Sequence, residues 1–202
     1  MSAVPKPRYT PEEYLALERE SEFRHEFYRG EMFAMAGATV IHNQIALNVA
    51  ANLMSELRGK PCRVFALDLR VQVQRNGLYT YPDVAVACPP LEFLDESRDT
   101  LLNPQVIVEV LSKKTEKYDR GKKFDLYREL ASLKQYVLIA QTEARVASFV
   151  RQADGMAWLM VPSDGLETSL DFPTIECRLS LAEVYRDVDF ALTQAEAEPI
   201  RT

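Results

Sequence analysis

A glutamate inside an apolar, strand-forming run is the feature that most constrains how this chain can fold. Residues 106–111 read Val-Ile-Val-Glu-Val-Leu, so Glu109 is the one polar member of a segment with high β propensity. Alternation along a strand places Glu109 on the same face as Ile107 and Leu111. An ionised carboxylate on such a face is costly unless a cation, a metal or a hydrogen-bond network compensates it. The fold therefore has to bring a partner to Glu109.

A second carboxylate repeats this pattern. Asp83 opens the otherwise apolar run 83–88 and directly follows Pro82. Proline is confined to the start or the edge of a strand, so Pro82 marks where this strand begins. Taken alone, Asp83 is also consistent with a turn or cap residue, and Glu109 with a structural ion pair. Two such acids on neighbouring core strands, separated by one polar loop, are harder to explain in these ways.

A basic helix is predicted directly after the strand that carries Glu109. Asp119, Lys123 and Tyr127 are spaced i, i+4 and i+8 and share one helical face, whereas Lys122 points about 100° away. The connection 112–117 is short, so Lys123 can fold back toward the strand. By itself an Asp–Lys pair on a helix is also typical of a solvated surface.

The other segments predict an α+β fold, with a central mixed β-sheet flanked by helices and preceded by an N-terminal helix and a β-hairpin. Thr10, Pro11 and Glu13 form a helix-start signal. We expect one domain over residues 1–202, with its core at about 23–188 and a loose tail at 191–202. The predicted elements are a helix at 11–20, a hairpin at 23–36 turning at Gly30, a helix at 41–57, strands at 64–74 and 79–88 joined by Asn76-Gly77, a strand at 106–111, a helix at 115–130, strands at 136–140, 145–151, 156–161 and 175–178, and a helix at 180–186.

Cysteine and histidine usage limits the possible metal chemistry. Cys62, Cys88 and Cys177 are widely spaced and odd in number, which argues against a disulfide framework and against a cysteine-based zinc site. Cys88 is interpreted as a small buried apolar residue. Because the chain has only two histidines, any metal would be held mainly by oxygen, which favours Mg²⁺ or Mn²⁺.

The charge distribution is uneven. The net charge is −6, but residues 113–128 carry seven basic and three acidic side chains, so this segment is +4 and the rest is −10. A basic segment beside acidic residues is compatible with a phosphate-backbone substrate, and equally with a solvated helix face. No apolar run approaches the ~20 residues of a membrane span, and residues 1–20 lack the apolar core of a secretory signal. A cytoplasmic protein with no membrane contact is expected.

Together these residues resemble the PD-(D/E)XK nuclease superfamily and, more closely, the bacterial Uma-two family of restriction endonucleases. The resemblance spans most of the chain and implies a restriction-endonuclease-like core of the α/β/α kind. Its most specific part begins with the strand that carries Glu109 and continues into the following helix. The matching segments are 28–31, His42, 67–71, 81–84, 108–112, Thr115, 119–124, Tyr127 and 135–136.

The resemblance also implies roles for individual residues. Asp83, Glu109 and the backbone carbonyl of Val110 would hold Mg²⁺ or Mn²⁺, and Lys123 would act on the attacking water and the phosphate. The superfamily's usual lysine position is occupied here by Leu111, so the resemblance implies that the lysine has moved onto the helix. The fallback lysines are Lys113 and Lys122, and possible additional site residues are Glu31, His42, Asp119 and Tyr127, although Glu31 and His42 also admit structural roles.

The function implied is a metal-dependent endonuclease that hydrolyses phosphodiester bonds, with DNA as the expected substrate and a homodimer as the expected assembly. One alternative is a nuclease-fold protein that binds nucleic acid or a protein partner without cleaving it. Another is a hydrolase that uses carboxylates and Mg²⁺ on a smaller phosphate compound. The acidic net charge and the displaced lysine keep the first alternative open.

Overall fold

The computed structural model describes residues 7–35, 37–66 and 68–191, and the tail expected at 191–202 lies outside this part from residue 192 onward. The helices are α1 (Pro11–Glu20), α2 (Val40–Glu56), α3 (Glu116–Tyr118), α4 (Phe124–Tyr127) and α5 (Leu181–Val184), with a π-helical turn at Asp119–Lys123 between α3 and α4. The strands are β1 (His25–Tyr28), β2 (Glu31–Ala34), β3 (Arg63–Ala66), β4 (Arg70–Val73), β5 (Leu78–Thr80), β6 (Val84–Ala87), β7 (Thr100–Leu101), β8 (Val106–Leu111), β9 (Gln135–Ala140), β10 (Arg145–Arg151), β11 (Trp158–Asp164), β12 (Ser169–Phe172) and β13 (Cys177–Ser180).

The helix and the hairpin predicted near the N-terminus are both present. Thr10 and Glu13 make a reciprocal capping box at the start of α1, with Thr10 N donating to Glu13 Oε2 at 2.7 Å. Strands β1 and β2 form a hairpin in which Arg29 and Gly30 both have positive φ. Two left-handed central residues define the tight turn whose twist suits a hairpin. This hairpin forms one edge of the second β-sheet described below.

A six-stranded sheet forms the centre of the fold. Its order is β11-β10-β9-β8-β6-β3, and it is mixed because β8 and β9 are parallel while the other pairs are antiparallel. Helix α2 packs on one face, against Val84, Val108 and Val110. The opposite face, with Ala85 and Ile107, packs against α4 and a second sheet of order β2-β1-β5-β4-β7. The predicted α+β class with a central mixed sheet is confirmed.

Two predicted strands are each divided between the two sheets. The segment predicted as one strand at 64–74 forms β3 and β4, and the segment at 79–88 forms β5 and β6. Strands β3 and β6 pair in the six-stranded sheet, whereas β4 and β5 pair in the other sheet around the predicted Asn76-Gly77 turn. The chain bends between the sheets at Tyr81-Pro82-Asp83, where proline cannot contribute a ladder donor. Asp83 therefore lies at this bend, one residue before β6.

The argument against a disulfide was wrong, because Cys62 and Cys88 are bonded to each other. Strands β3 and β6 pair antiparallel with Arg63 opposite Ala87, so Cys62 and Cys88 are the next facing pair in that register, with Cα atoms 4.0 Å apart. Widely spaced cysteines come together here through strand pairing, which a count of cysteines does not reveal. Cys177 is the free cysteine, and it is buried.

Smaller differences concern four further segments. Strands β7 and β12 were not predicted, and the strand predicted at 175–178 lies at Cys177–Ser180. The helix predicted at 115–130 is interrupted by the π-helical turn. Within the part of the chain that the structure describes, no helix is long and apolar enough to cross a membrane.

Candidate active site

Glu109 lies in the middle of β8 and is 4% exposed. Its face is the predicted one, shared with Ile107 and Leu111. Two groups from the helical segment reach its Oε1 atom: the Lys123 Nζ atom at 2.9 Å and the Tyr127 hydroxyl, which donates a hydrogen bond at 2.9 Å. The buried Glu109 carboxylate is thus compensated by a cation and by a hydrogen-bond donor.

Lys123 is surrounded by three carboxylates. Its Nζ atom lies 2.9 Å from Glu109, 3.2 Å from Glu26 and 3.7 Å from Asp119. Lys123 and Asp119 sit at the two ends of the π-helical turn, and both are buried. The Tyr136 hydroxyl donates to the Asp119 backbone carbonyl within this turn at 3.1 Å. Single π-helical turns inside helices frequently mark functional sites, and this one directs a lysine and an aspartate to the same point.

Asp83 approaches the same point from the neighbouring strand. Val84 pairs with Val108, so extending this antiparallel register by one residue places Asp83 opposite Glu109. Asp83 Oδ2 accepts a hydrogen bond of 2.7 Å from the backbone N–H of Val110. Its other oxygen lies 2.7 Å from His42 Nε2. Asp83 and Glu109 thus lie side by side but are held by different donors.

His42 is positioned by the first turn of α2 and by a glutamine. The Thr39 side chain caps α2 by accepting from the His42 backbone N–H. Gln141 donates through its amide nitrogen to the Leu111 carbonyl at 2.7 Å, and the same nitrogen lies 3.4 Å from His42 Nδ1. An amide donor beside Nδ1 leaves Nε2 to carry the proton toward Asp83. Gln141 thereby fixes the orientation of the histidine.

Most of the predicted site residues line one cleft of about 870 Å³. It is lined by Asp83, Glu109, Val110, Lys123, Asp119 and His42. Tyr127 lies beneath it, completely buried, with its hydroxyl on Glu109. Lys113 lines the cleft on the connection after β8, and Lys122 lies over the Tyr28 ring at 4.9 Å. Of these three lysines, Lys123 is the one that contacts Glu109.

The hairpin glutamate that lines the cleft is Glu26, not the Glu31 that the sequence indicated. Glu31 lies opposite Tyr28 at the turn and does not line the cleft, whereas Glu26 on β1 does. Glu26 is held by the Thr80 hydroxyl and, at 3.2 Å, by the Tyr118 hydroxyl, and it pairs with Lys123. Alternation along β1 could have shown that Glu26 and its buried neighbour Phe27 lie on opposite faces of the strand. It could not have shown that the Glu26 face lies toward Lys123, because this depends on the pairing of β1 with the distant strand β5.

The cluster carries an excess of negative charge. Burial raises the pKa of Glu109 to about 8; the Asp83 and Asp119 charges raise it further, and the Lys123 charge opposes them. Burial likewise raises the pKa of Asp119. Burial disfavours the charged Lys123, but the carboxylates of Glu109, Glu26 and Asp119 together hold its pKa well above the usual value. Lys123 is therefore a protonated donor in this setting.

The raised pKa of Glu109 predicts how the stability of the metal-free protein depends on pH. Between the ordinary value of 4.5 and the native value of about 8, the folded protein holds a proton that the unfolded chain has released. The free energy of unfolding should therefore fall as pH rises through this window, by at most about 1.4 kcal/mol per pH unit. Urea unfolding in EDTA across the window measures this slope. The Glu109→Gln variant should be flatter; an identical slope in the variant would contradict the assignment.

The donors suit a hard divalent cation. Among the described residues, no three histidine, cysteine, aspartate or glutamate side chains form a ready-made ligand group. The cleft nevertheless places the Asp83 and Glu109 carboxylates on adjacent strands, with charges close enough to perturb each other. Oxygen donors and an uncompensated negative charge are what Mg²⁺ and Mn²⁺ require. The residues present therefore fit such an ion, with Asp83 and Glu109 as its carboxylate ligands.

The central mixed sheet flanked by helices is of the restriction-endonuclease-like class of folds. The chain belongs to the Uma2 family: residues 11–182 match the family model, described as "Putative restriction endonuclease". The predicted family is confirmed.

Two relatives and one solved structure resemble this chain over most of its length. The uncharacterized protein slr1290 of Synechocystis sp. is 32% identical over 188 residues, which cover 93% of this chain and 97% of that protein. The uncharacterized protein sll1609 of the same organism is 32% identical over 163 residues, or 81% of this chain and 92% of that protein. A crystal structure of "a putative nuclease belonging to DUF820" from Anabaena variabilis matches the fold with a TM-score of 0.69 at 19% identity, covering 90% of this chain and 97% of that chain.

Proposed function

We propose that this protein is a metal-dependent endonuclease that hydrolyses phosphodiester bonds of DNA in the cleft lined by Asp83, Glu109 and Lys123. The observation that carries the proposal is the 2.9 Å contact between Lys123 Nζ and the buried Glu109 carboxylate, beside Asp83 on the adjacent strand. These are the acid, acid and lysine components of the superfamily. Here the lysine comes from the π-helical turn, because the position two residues after Glu109 is the apolar Leu111.

Each residue of the cleft has a distinct role in the proposed reaction. Asp83 and Glu109, with the Val110 carbonyl, would hold Mg²⁺ or Mn²⁺, which when bound polarises a phosphoryl oxygen and lowers the pKa of a coordinated water. Lys123 donates hydrogen bonds to the water and to the negative charge that grows on the phosphate. Its high pKa makes it a positioning and stabilising cation rather than the base that removes the proton. His42 and Gln141 keep Asp83 oriented toward the cleft.

A binding protein without catalytic activity is the second candidate. The observation that favours it is the enclosure of Lys123, which is 5% exposed and contacts three carboxylates. A lysine enclosed in this way can contact a phosphate only if it loses some of its ion pairs with the surrounding carboxylates. Binding of a divalent cation by Glu109 is the event that would do this, so the two candidates differ in their response to metal.

Cleavage in the presence of added metal tests the proposal. We expect nicking of DNA with Mg²⁺ or Mn²⁺ and none with EDTA, measured on circular single-stranded DNA and on supercoiled plasmid. Asp83→Asn should reduce the rate by about 100-fold or more, because the amide removes a charged ligand from the metal. Asp171→Asn is the matched control, since the Asp171 side chain is exposed and its carboxylate pairs with Arg178 at the surface. Equal rates for wild type and Asp83→Asn would refute the site.

A further inference from the structure

One border of the cleft is apolar and exposed. Phe33, Ala34 and Met35 at the end of β2, with Gly37 and Ala38 before α2, line the cleft and form what we call the apolar lip. Phe33 is 44% exposed and Met35 is 39% exposed. Large apolar side chains that remain exposed beside a polar cleft commonly mark the place where a ligand binds. The proposed chemistry at Asp83 and Glu109 does not use these residues.

The connection after β8 contributes unpaired positive charge to the same cleft. Lys113 and Lys114 line it, are exposed, and have no ion-pair partner among residues 7–35, 37–66 and 68–191. Arg120, which also lines the cleft, is already paired with Glu116 at 2.7 Å. Of these three side chains, the two lysines are therefore the ones whose charge is available to a phosphate. The cleft is thus lined by the exposed apolar lip, by these two lysines and by the buried Glu109 and Asp119.

We propose that the cleft binds single-stranded nucleic acid, with unstacked bases against the apolar lip and the phosphate backbone at Lys113 and Lys114. A duplex presents phosphates and sugars outward while its bases stay stacked and paired, so it would leave the lip without a partner. A single strand exposes the π-faces of its bases, and these stack on aromatic side chains without regard to sequence. This inference rests on the proposed function, since it assigns the substrate class of the same site.

The burial of the reacting groups points to the same class of substrate. Glu109 and Lys123 are 4% and 5% exposed, so a phosphate has to enter the cleft to reach them. A flexible single strand can turn one phosphate inward, whereas duplex DNA, with a persistence length of about 150 base pairs, resists the local bend that this would need. Recognition of single strands would also remove the reason for expecting a homodimer, because cutting one strand requires one site.

Binding measurements on the full chain test this inference. Fluorescence anisotropy is recorded with a labelled 20-nucleotide single strand and with the corresponding duplex, in EDTA and in the Glu109→Gln background so that nothing is cut. We expect the single strand to bind at least about tenfold more tightly than the duplex. Phe33→Ala should weaken single-strand binding about tenfold and leave duplex binding unchanged, and Phe33→Tyr should retain most of the affinity.

Phe23→Ala is the matched control, because Phe23 is 72% exposed but does not line the cleft. Equal affinity for the two substrates, or a Phe33→Ala loss that Phe23→Ala reproduces, would overturn the inference. Cleavage by the wild-type protein with Mg²⁺ separates this inference from the proposed function. Selective binding without cleavage would sustain the single-strand site and refute the nuclease, whereas duplex cleavage that is indifferent to Phe33 would do the reverse.

Discussion

Glu109→Gln is expected to lower metal-dependent cleavage by about 1000-fold or more without unfolding the protein. The substitution preserves the shape of the side chain and an oxygen that can accept from Lys123 and Tyr127, but it removes the negative charge that would bind the cation. Losing a group that stabilises developing charge in a buried site typically costs two to three orders of magnitude, and loss of the metal adds to this. Single-turnover rates with saturating Mg²⁺ measure the effect.

Stability should respond to the same substitution in the opposite direction. Glu109 is desolvated and feels the negative charges of Asp83 and Asp119, so its ionised form is unfavourable in the metal-free protein. A neutral amide removes that cost, and at pH 8 we expect the variant to unfold at an equal or higher urea concentration than wild type. Glu129→Gln, at an exposed glutamate, should change neither property. A variant that is both inactive and strongly destabilised would indicate a structural role for Glu109.

The core of this site could be predicted from the sequence because its signals are local. A lone acid in the apolar run 106–111 requires a partner, and in the structure Lys123 and Tyr127 both contact Glu109. Asp119 lies beside Lys123, in keeping with their i, i+4 spacing. Apolar composition and periodicity are properties of short segments. Such signals survive without knowledge of the tertiary fold.

The remaining features depend on contacts between distant segments. Glu26 reaches Lys123 because β1 pairs with β5, and Cys62 meets Cys88 because β3 pairs with β6. The division of two predicted strands between two sheets has the same origin, since local β propensity does not state which sheet a strand joins. The π-helical turn at Asp119–Lys123 depends on tertiary packing that includes the Tyr136 hydroxyl.

Replacing Lys123 by methionine is expected to destabilise the protein by about 3–5 kcal/mol, because it leaves buried carboxylates without their cation. Glu109, Asp119 and Glu26 all lie within 3.7 Å of the ammonium group. A loss of this size is a large part of the ~5–15 kcal/mol that stabilises a typical domain. Lys122→Met is the matched control: Lys122 is the exposed neighbour in sequence and contacts the Tyr28 ring, so a change below about 1 kcal/mol is expected. Urea unfolding at pH 7 compares the two variants.

Adding Glu26→Gln to Lys123→Met distinguishes charge balance from catalysis. Removing one of the three carboxylates relieves part of the repulsion that the missing lysine leaves behind, so we expect the double variant to regain about 1–2 kcal/mol over Lys123→Met. Its amide oxygen can accept from one of the two hydroxyls that hold Glu26, those of Thr80 and Tyr118, and its NH2 group can donate to the oxygen of the other. Cleavage should stay lost, since no other lysine contacts Glu109 within the part of the chain that the structure describes. Recovery of activity together with stability would mean that Lys123 only balances charge and that the phosphate is stabilised by another group.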